Sequence, residues 1–129
     1  MPLVRIDVIQ GRSKEQTSRL LDALHEAMLE AFNVPAGDRY QILTEHPAAL
    51  MVVQDTGLNI PRTQDVVVIQ VTTRPRTTAE KEAFYRLAVK ALDEQCGISP
   101  SDVVISCVTN TDEDWSFGHG RAQFLTGEL

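Results

Sequence analysis

The fold is decided by residues 67–80, VVIQVTTRPRTTAE, in which an apolar strand runs through a short turn into the start of a helix. The same order recurs in residues 3–16, LVRIDVIQGRSKEQ, at an offset of 64 residues. Followed along the chain, this offset relates residues 3–42 to residues 67–106 in pattern more than in identity. It aligns Val4 with Val68, Arg12 with Arg76, Ser13 with Thr77 and Asp38 with Asp102. Each half is therefore predicted to form a strand, a helix and a second strand.

The first strands of the two halves differ in their apolar pattern. In Val4–Val8 apolar and polar residues alternate, as expected for a strand with one buried face. Residues 66–71 are nearly all apolar, which is typical of a central strand covered on both faces. Returning strands are expected near Arg39–Leu43 and Val103–Val108, with a further short strand at Leu50–Gln54.

The helix boundaries are marked in both halves. Capping-box pairs stand at the two N-termini, Ser13 with Gln16 and Thr77 with Glu80. Apolar residues then recur at helical spacing in each segment. The first helix is expected to end near Asn33, before Pro35, and the second at Gly97.

Two strand–helix–strand units predict an α+β fold, with a four-stranded mixed sheet and both helices on one face. We expect a single domain over residues 1–129, in which the aromatic, Gly-rich tail from Trp115 to Leu125 forms a small hairpin. Two helices on one face leave the other face of the sheet bare. An oligomer that covers this second face is therefore expected.

The charge balance argues against several function classes. The chain has 18 acidic and 12 basic residues, which gives a formal net charge of −6. Nucleic acids and anionic membranes attract positive charge, so neither is an expected partner. No apolar run approaches the ~20 residues that cross a bilayer, and Arg5 and Asp7 interrupt the N-terminal apolar stretch, unlike in a secretion signal. We therefore expect a cytoplasmic protein.

The two cysteines, Cys96 and Cys107, fit neither a metal-ligand spacing nor a disulfide framework. We expect both to be reduced thiols that serve as packing material. No metal triad, Ser-His-Asp order or Cys-His pair can be assembled from the sequence, so no metal site is predicted.

Pro2 directly follows Met1, and a small second residue favours removal of the initiator methionine. The mature chain would then begin with a secondary amine, and an ordinary α-amine has a pKa of about 7.7–8.0. Such a group can act as base, acid or nucleophile near neutral pH. Many chains begin Met-Pro, but here the proline stands at the start of a core strand. If Met1 is retained, the nitrogen is an amide and this chemistry is lost.

Arg74-Pro75-Arg76 lies where the second strand turns into its helix. Proline stiffens the turn, and a guanidinium beside a helix N-terminus is well placed to bind a carboxylate. The alternative is a pair of solvated surface arginines. Asp38-Arg39, in a loop that leads into a strand, is either a second functional element or an ordinary surface ion pair. Residues 114–121, DWSFGHGR, include the only tryptophan and could wall a pocket, but they lack the context of a phosphate loop.

The most specific stretches are Val34–Gln41, Arg74–Arg76, Cys96–Pro100 and Asp114–Gly118, together with the Met-Pro start. With these motifs the chain resembles the tautomerase superfamily over nearly its whole length, and within it the malonate semialdehyde decarboxylase family. The resemblance implies a doubled β-α-β fold, a homotrimer and catalysis without a cofactor.

The resemblance also implies roles for individual residues. The amino-terminal proline of the family falls on Pro2, its acidic partner on Asp38, the paired arginines on Arg74 and Arg76, and the aromatic pocket wall on Trp115, Phe117 and Phe124. Gly37 and His119 depart from the family's pattern, which has arginine there. Trp115 occupies the region where dehalogenase relatives carry a water-activating acid, so hydrolytic dehalogenation is not expected.

The implied activity is decarboxylation of a small 3-oxo acid, with malonate semialdehyde giving acetaldehyde and CO2. A protonated prolyl amine would polarise the carbonyl, whereas a neutral one could form an iminium. A tautomerase or hydratase of 2-oxo or unsaturated acids, with Pro2 as general base, is the alternative enzyme. A non-catalytic module that retains Met1 is the third possibility.

Overall fold

The computed structural model of the protein describes residues 2–129. The state of Met1, on which the non-catalytic alternative depends, lies outside the described residues. The strands are β1 (Leu3–Ile9), β2 (Tyr40–His46), β3 (Val67–Thr73) and β4 (Val103–Thr109). The helices are α1 (Lys14–Phe32), α2 (Thr78–Cys96) and the short α3 (Gln123–Thr126). None of these helices is long and apolar enough to cross a membrane.

The four strands form one mixed sheet in the order β2-β1-β3-β4. The two parallel pairs, β1 with β2 and β3 with β4, are joined in the centre by the antiparallel pair β1 and β3. Each parallel pair is connected through a helix, as a strand–helix–strand unit requires. The predicted fold class is confirmed, and the two strand–helix–strand units occur in the predicted order.

The core lies between the sheet and the helices α1 and α2, which pack against each other. Alternate strand residues face this core, among them Val4, Ile6 and Val8 of β1 and Val67, Ile69 and Val71 of β3. Both predicted capping boxes are present, and α1 and α2 end at Asn33 and Gly97 in left-handed conformation.

The other face of the sheet is open in this chain. Gln70 of β3 is exposed and Val68 is half-buried, so within one chain residues 66–71 are covered on one face, and cover on the other face stays a prediction for the oligomer. A valine-rich run does not reveal which of its alternate positions meets a second layer of the same chain. Tyr40, Ile42 and Val108 lie on this open face with 43 to 44% of their surface exposed.

The offset of the repeat differs by one residue between the first strands and the helices of the two halves. Val4 is buried against the helices, whereas Val68, its partner at the offset of 64, faces the open side. Side chains alternate between the two faces along a strand. Because an even offset pairs residues that face opposite sides, the offset between equivalent residues of β1 and β3 must be an odd number of residues. An offset of 65 aligns Val4 with the buried Ile69, while α1 and α2 keep the offset of 64. The turn into the helix is therefore one residue shorter in the second half.

Two predicted local structures are wrong. Leu50–Gln54 forms no strand, since Ala48–Leu50 is a single 3-10 turn and the residues after it pair with no other strand in the described chain. The tail forms no hairpin, because Gly118, His119 and Gly120 all have positive φ, at 142°, 60° and 68°. Three successive residues of this kind turn the backbone too sharply for a strand ladder.

Asp102 joins the long segment before β3 to the start of β4. Its buried carboxylate accepts hydrogen bonds from the Thr63 main-chain N–H at 2.7 Å and from the Thr63 hydroxyl at 2.5 Å. Asp102 is the counterpart of Asp38 at the offset of 64. The second half thus uses this carboxylate as a structural acceptor.

The two helix caps give a matched pair of substitutions. We expect Thr77→Ala and Ser13→Ala each to lower the free energy of unfolding by about 1 kcal/mol, since each hydroxyl accepts the N3 main-chain N–H. Urea unfolding followed by circular dichroism measures both. Unchanged stability in either variant would contradict the capping role of its hydroxyl.

Candidate active site

The sheet order brings the predicted site residues to one end of the molecule. Pro2 is buried immediately before β1. The next residue, Leu3, pairs with Tyr40 at the start of β2 and with Thr72 near the end of β3. Pro2 therefore lies at the same end of the sheet as the loop that holds Asp38 and the turn that holds Arg74 and Arg76.

Arg76 is half-buried and held by the protein. Its Nε donates to the Thr73 hydroxyl at 3.2 Å, its Nη1 donates to the Phe32 carbonyl at 3.0 Å, and the guanidinium carbon lies 4.8 Å from the centre of the Phe32 ring. Burial lowers the pKa of Arg76, and the Arg74 charge lowers it further. The charges of Glu80 and Asp38 act in the opposite direction and raise it. The guanidinium stays charged at neutral pH.

Arg74 is held between an acid and an aromatic ring. Its Nη1 donates to Asp112 Oδ1 at 3.0 Å, and its guanidinium carbon lies 3.8 Å from the centre of the Phe124 ring. Its Nε is buried and has no hydrogen-bond partner among residues 2–129. A buried donor without a partner is costly. The alternative of two solvated surface arginines is wrong, since both guanidiniums are half-buried and stacked.

Asp38 and Arg39 have separate surroundings. Arg39 pairs with Asp22 of α1 at 2.8 Å and donates to the Gln41 side chain at 2.7 Å. Arg39 therefore forms a surface ion pair, with Asp22 as its partner. Asp38 is half-buried, and its main-chain N–H donates to the Pro35 carbonyl at 3.0 Å, which fixes the turn that carries it. The Asp38 charge raises the pKa of Arg76, although this effect is smaller than that of burial.

An aromatic cluster forms the wall of the site. Phe117 stacks on Trp115 with ring centres 5.3 Å apart and meets Phe124 edge-on at 5.4 Å. The structure thus brings together the three aromatic residues that the sequence analysis named. Tyr40 also stacks on Phe117 at 6.0 Å, and the sequence analysis missed it. The available signal was its place beside Arg39 at the start of an edge strand.

Buried polar groups hold this wall in place. The side-chain oxygen of Gln123 accepts the Phe117 N–H at 2.9 Å, and its amide nitrogen donates to the Gly118 carbonyl at 2.9 Å. The indole N–H of Trp115 donates to Asn110 at 2.7 Å. Gln123, Asn110 and Asp112 were all missed from the sequence, because a single polar residue carries no pattern.

Two hollows flank the Arg74 and Phe124 pair. One is a cavity of about 230 Å³, lined by Leu3, Tyr40, Trp115, Ser116 and Phe117. The other is an acidic groove of about 370 Å³, lined by Pro75, Thr111, Asp112, Glu113 and Leu125. The first hollow is walled mainly by aromatic rings and adjoins the Pro2 end of β1, so it suits a small, partly apolar molecule.

The two departures from the family's pattern lie at the surface. Gly37 is exposed, has no positive φ, and a side chain there would meet no atom within 4 Å. An arginine could therefore stand at this position without strain. His119 is exposed with φ of 60°. Neither residue contributes to the aromatic cavity.

Comparison with known proteins agrees with this geometry. A family model described as tautomerase enzyme matches residues 38–118, and a second model with the same description matches residues 2–60. The probable tautomerase YrdN of Bacillus subtilis (strain 168) is 49% identical over 129 residues, which cover 100% of both chains. This chain belongs to the tautomerase family.

Other relatives extend the likeness within the tautomerase family. The probable tautomerase YusQ of Bacillus subtilis (strain 168) is 35% identical over 97% of this chain and 99% of its own. A structure of malonate semialdehyde decarboxylase, studied for its decarboxylase and hydratase activities, superposes with a TM-score of 0.96 at 50% identity over 98% of each chain. A fused 4-OT, at 21% identity, 97% and 98% coverage and a TM-score of 0.80, shares the fold. Membership of this family supports an enzyme.

Proposed function

We propose that the protein decarboxylates a small 3-oxo acid, converting malonate semialdehyde to acetaldehyde and CO2 without a cofactor. The observation that carries the proposal is the likeness to malonate semialdehyde decarboxylase, at 50% identity over 98% of the chain. The grouping of Asp38, Arg74 and Arg76 at the Pro2 end of the sheet supports it.

The two arginines are proposed to bind the substrate carboxylate. The buried Nε of Arg74 is a donor that lacks a partner in the described chain, and Arg76 is fixed by Thr73 and Phe32. A guanidinium binds a carboxylate through paired hydrogen bonds. The carboxylate loses its charge as CO2 departs, so a clamp that is too tight would stabilise the bound substrate more than the transition state.

The Pro2 amine is proposed to act in its protonated form. As the bond between the carboxyl carbon and the methylene carbon breaks, its electron pair moves toward the aldehyde oxygen, where the ammonium donates a hydrogen bond or a proton. A proton then returns to the methylene carbon, which becomes the methyl group of acetaldehyde. A carboxylate near the amine favours the protonated form and raises the pKa of that amine. Asp38 is proposed to fill this role.

The aromatic wall is proposed to exclude water from the reacting atoms. Trp115, Phe117 and Phe124 are in mutual contact through Phe117, and none of the three can act as a base toward water. A site that is shielded in this way strengthens the electrostatic interactions inside it. It also disfavours hydrolytic dehalogenation.

The second candidate is a tautomerase or hydratase in which neutral Pro2 acts as a general base. It is supported by the names of the two Bacillus relatives and by the hydratase activity of the structural relative. Arg74 and Arg76 would bind the substrate carboxylate in this candidate as well. Base catalysis is lost as the amine becomes protonated, whereas acid catalysis is lost as it becomes deprotonated, so the two candidates have opposite pH limbs.

A homotrimer is proposed as the working assembly. The open sheet face exposes Tyr40, Ile42 and Val108, and the segment before β3 exposes Leu50 and Val52 at 74 and 77%. Apolar surface of this kind is usually covered by another chain. Fused 4-OT structures with the same fold are trimers, which supports the same assembly here.

The test is a proton NMR time course with malonate semialdehyde in D2O. The protein should have a Pro2 amino terminus verified by mass, and a form with an uncleaved N-terminal extension serves as the matched control. We expect acetaldehyde to form faster with the free proline than with the blocked form. Accelerated loss of the methylene protons without acetaldehyde would instead establish the base-catalysed alternative. Equal rates for the two forms would contradict any role for the amine and favour the non-catalytic module.

A further inference from the structure

A second cavity, of about 280 Å³, lies at the end of the sheet opposite Pro2. It is open to solvent on one side and is lined by the end of β1, the first turns of α1, the segment before β3 and the end of α2. Its charged or polar lining consists of Gln10, Arg12, Gln16, Arg19, Gln64, Asp65 and the thiol of Cys96. The proposed decarboxylation uses none of these residues.

The internal repeat makes this cavity the counterpart of the candidate active site. Arg12 and Arg76 each directly precede the capping residue of a helix, at an offset of 64 residues. Arg76 stacks on Phe32, the last residue of α1. Arg12 shares the second cavity with Cys96, the last residue of α2. Each arginine therefore lies beside the C-terminal end of the opposite helix.

The counterpart site retains arginines but lacks the groups proposed for acid–base chemistry. The strand offset of 65 places Val67, an internal residue, where Pro2 stands in the first half, so there is no amine. Asp102, the counterpart of Asp38, is occupied by two hydrogen bonds from Thr63. A molecule bound in this cavity would therefore meet the positive charge without the reactive groups.

The charge and size of the cavity define what it can hold. Two guanidiniums and one carboxylate leave a net charge of one positive among the lining side chains. Arg12 is held in position because its Nη2 donates to the Asp65 carbonyl at 2.8 Å. Ile9, Leu20 and Ile98 supply an apolar part of the wall. A cavity of about 280 Å³ lies at the small end of ligand sites, which commonly span ~300–1,000 Å³.

We propose that this cavity is a second binding site, which takes a small organic monocarboxylate and does not convert it. The carboxylate group is bound between Arg12 and Arg19, and the short carbon chain lies against the apolar wall.

The thiol of Cys96 provides a local readout. Burial raises the pKa of Cys96, and the Arg19 and Arg12 charges act in the opposite direction. A bound anion would cancel part of the effect of the two arginines and raise the pKa of Cys96 further. A smaller fraction of Cys96 would then be in the reactive thiolate form at a given pH. Cys107 is a second free thiol, located on β4 away from the cavity, and serves as the internal control.

The experiment measures iodoacetamide labelling of each thiol by peptide mass mapping, with and without propanoate. At saturating propanoate we expect Cys96 to be labelled roughly tenfold more slowly, the equivalent of one pKa unit, while Cys107 is unchanged. The expected protection is lost in Arg19→Gln and retained in Arg86→Gln, which removes an exposed charge from α2. Circular dichroism verifies that both variants are folded.

Three outcomes would overturn the proposal: no protection of Cys96, equal protection of Cys107, or full protection in Arg19→Gln. Inorganic phosphate forms a separate arm. If phosphate protects Cys96 as well as propanoate does, the apolar wall has no role and the assignment of an organic ligand is wrong. The measurement does not depend on turnover, so its failure is distinguishable from failure of the proposed decarboxylation.

Discussion

Replacement of Arg76 by glutamine is expected to lower kcat/KM for the 3-oxo acid by about 10²-fold. The side chain would lose its charge and the paired N–H groups that match a carboxylate. In the proposed mechanism the guanidinium contacts the carboxylate in both the bound substrate and the transition state, so most of the loss should appear as a higher KM. Arg76→Lys keeps the charge without the planar fork of the guanidinium. Its kcat/KM should therefore fall between that of the unchanged protein and that of Arg76→Gln.

The control for this substitution separates binding from folding. Arg76 also bonds Thr73 and the Phe32 carbonyl, so its loss will cost some stability. Arg86→Gln removes an exposed positive charge from α2, the helix that follows the Arg76 turn, and should leave kcat/KM unchanged. Steady-state kinetics are to be measured at a temperature where urea unfolding shows both variants to be fully folded. Unchanged KM in folded Arg76→Gln would exclude Arg76 from the carboxylate site.

Asp38→Asn is expected to move the alkaline limb of the pH profile of kcat/KM to lower pH by about one unit. In the proposed mechanism the protonated Pro2 amine is the active form, so activity is lost as the pH rises through the pKa of that amine. Removing the Asp38 charge disfavours the ammonium and lowers its pKa, which brings the loss to lower pH. The largest fall in rate should therefore be seen above neutral pH.

Asp22→Asn provides the matched control. Asp22 is an exposed carboxylate that pairs with Arg39, the neighbour of Asp38. Asp22→Asn should leave the pH profile of kcat/KM unchanged. Pro2→Ala, which keeps a primary amine, should retain part of the activity. If Pro2→Ala abolishes turnover while Asp38→Asn leaves the whole profile unchanged, the roles assigned to both residues are wrong. A shift of the limb toward higher pH would be equally inconsistent with the model.

Local patterns made much of this site predictable. Capping boxes at Ser13 and Thr77 and the apolar periodicity set the helix starts within one residue. The turn at Arg74–Arg76 followed directly from the strand and helix on either side. These features depend on residues within a few positions of one another, which is the range over which sequence alone carries physical information.

Long-range partners were not predictable in the same way. Asp112 pairs with Arg74 across 38 residues, and Phe32 supplies both a carbonyl and a ring to Arg76 across 44 residues. Gln123 is an isolated polar residue in the sequence. Its side-chain amide accepts the Phe117 N–H only once the tail has folded and buried it. The partner of each group depends on the sheet order and on the path of the tail.

The sequence by itself determined the two strand–helix–strand units, the helix caps, the repeat and the set of chemically capable residues. The tertiary structure alone decided how Asp38 and Asp102 diverge: one influences Arg76, the other binds Thr63. It also decided that β1 and β3 align at 65 rather than 64 residues, because one residue reverses the face that a strand side chain meets. Equivalent residues therefore acquire different roles from the surfaces against which they pack.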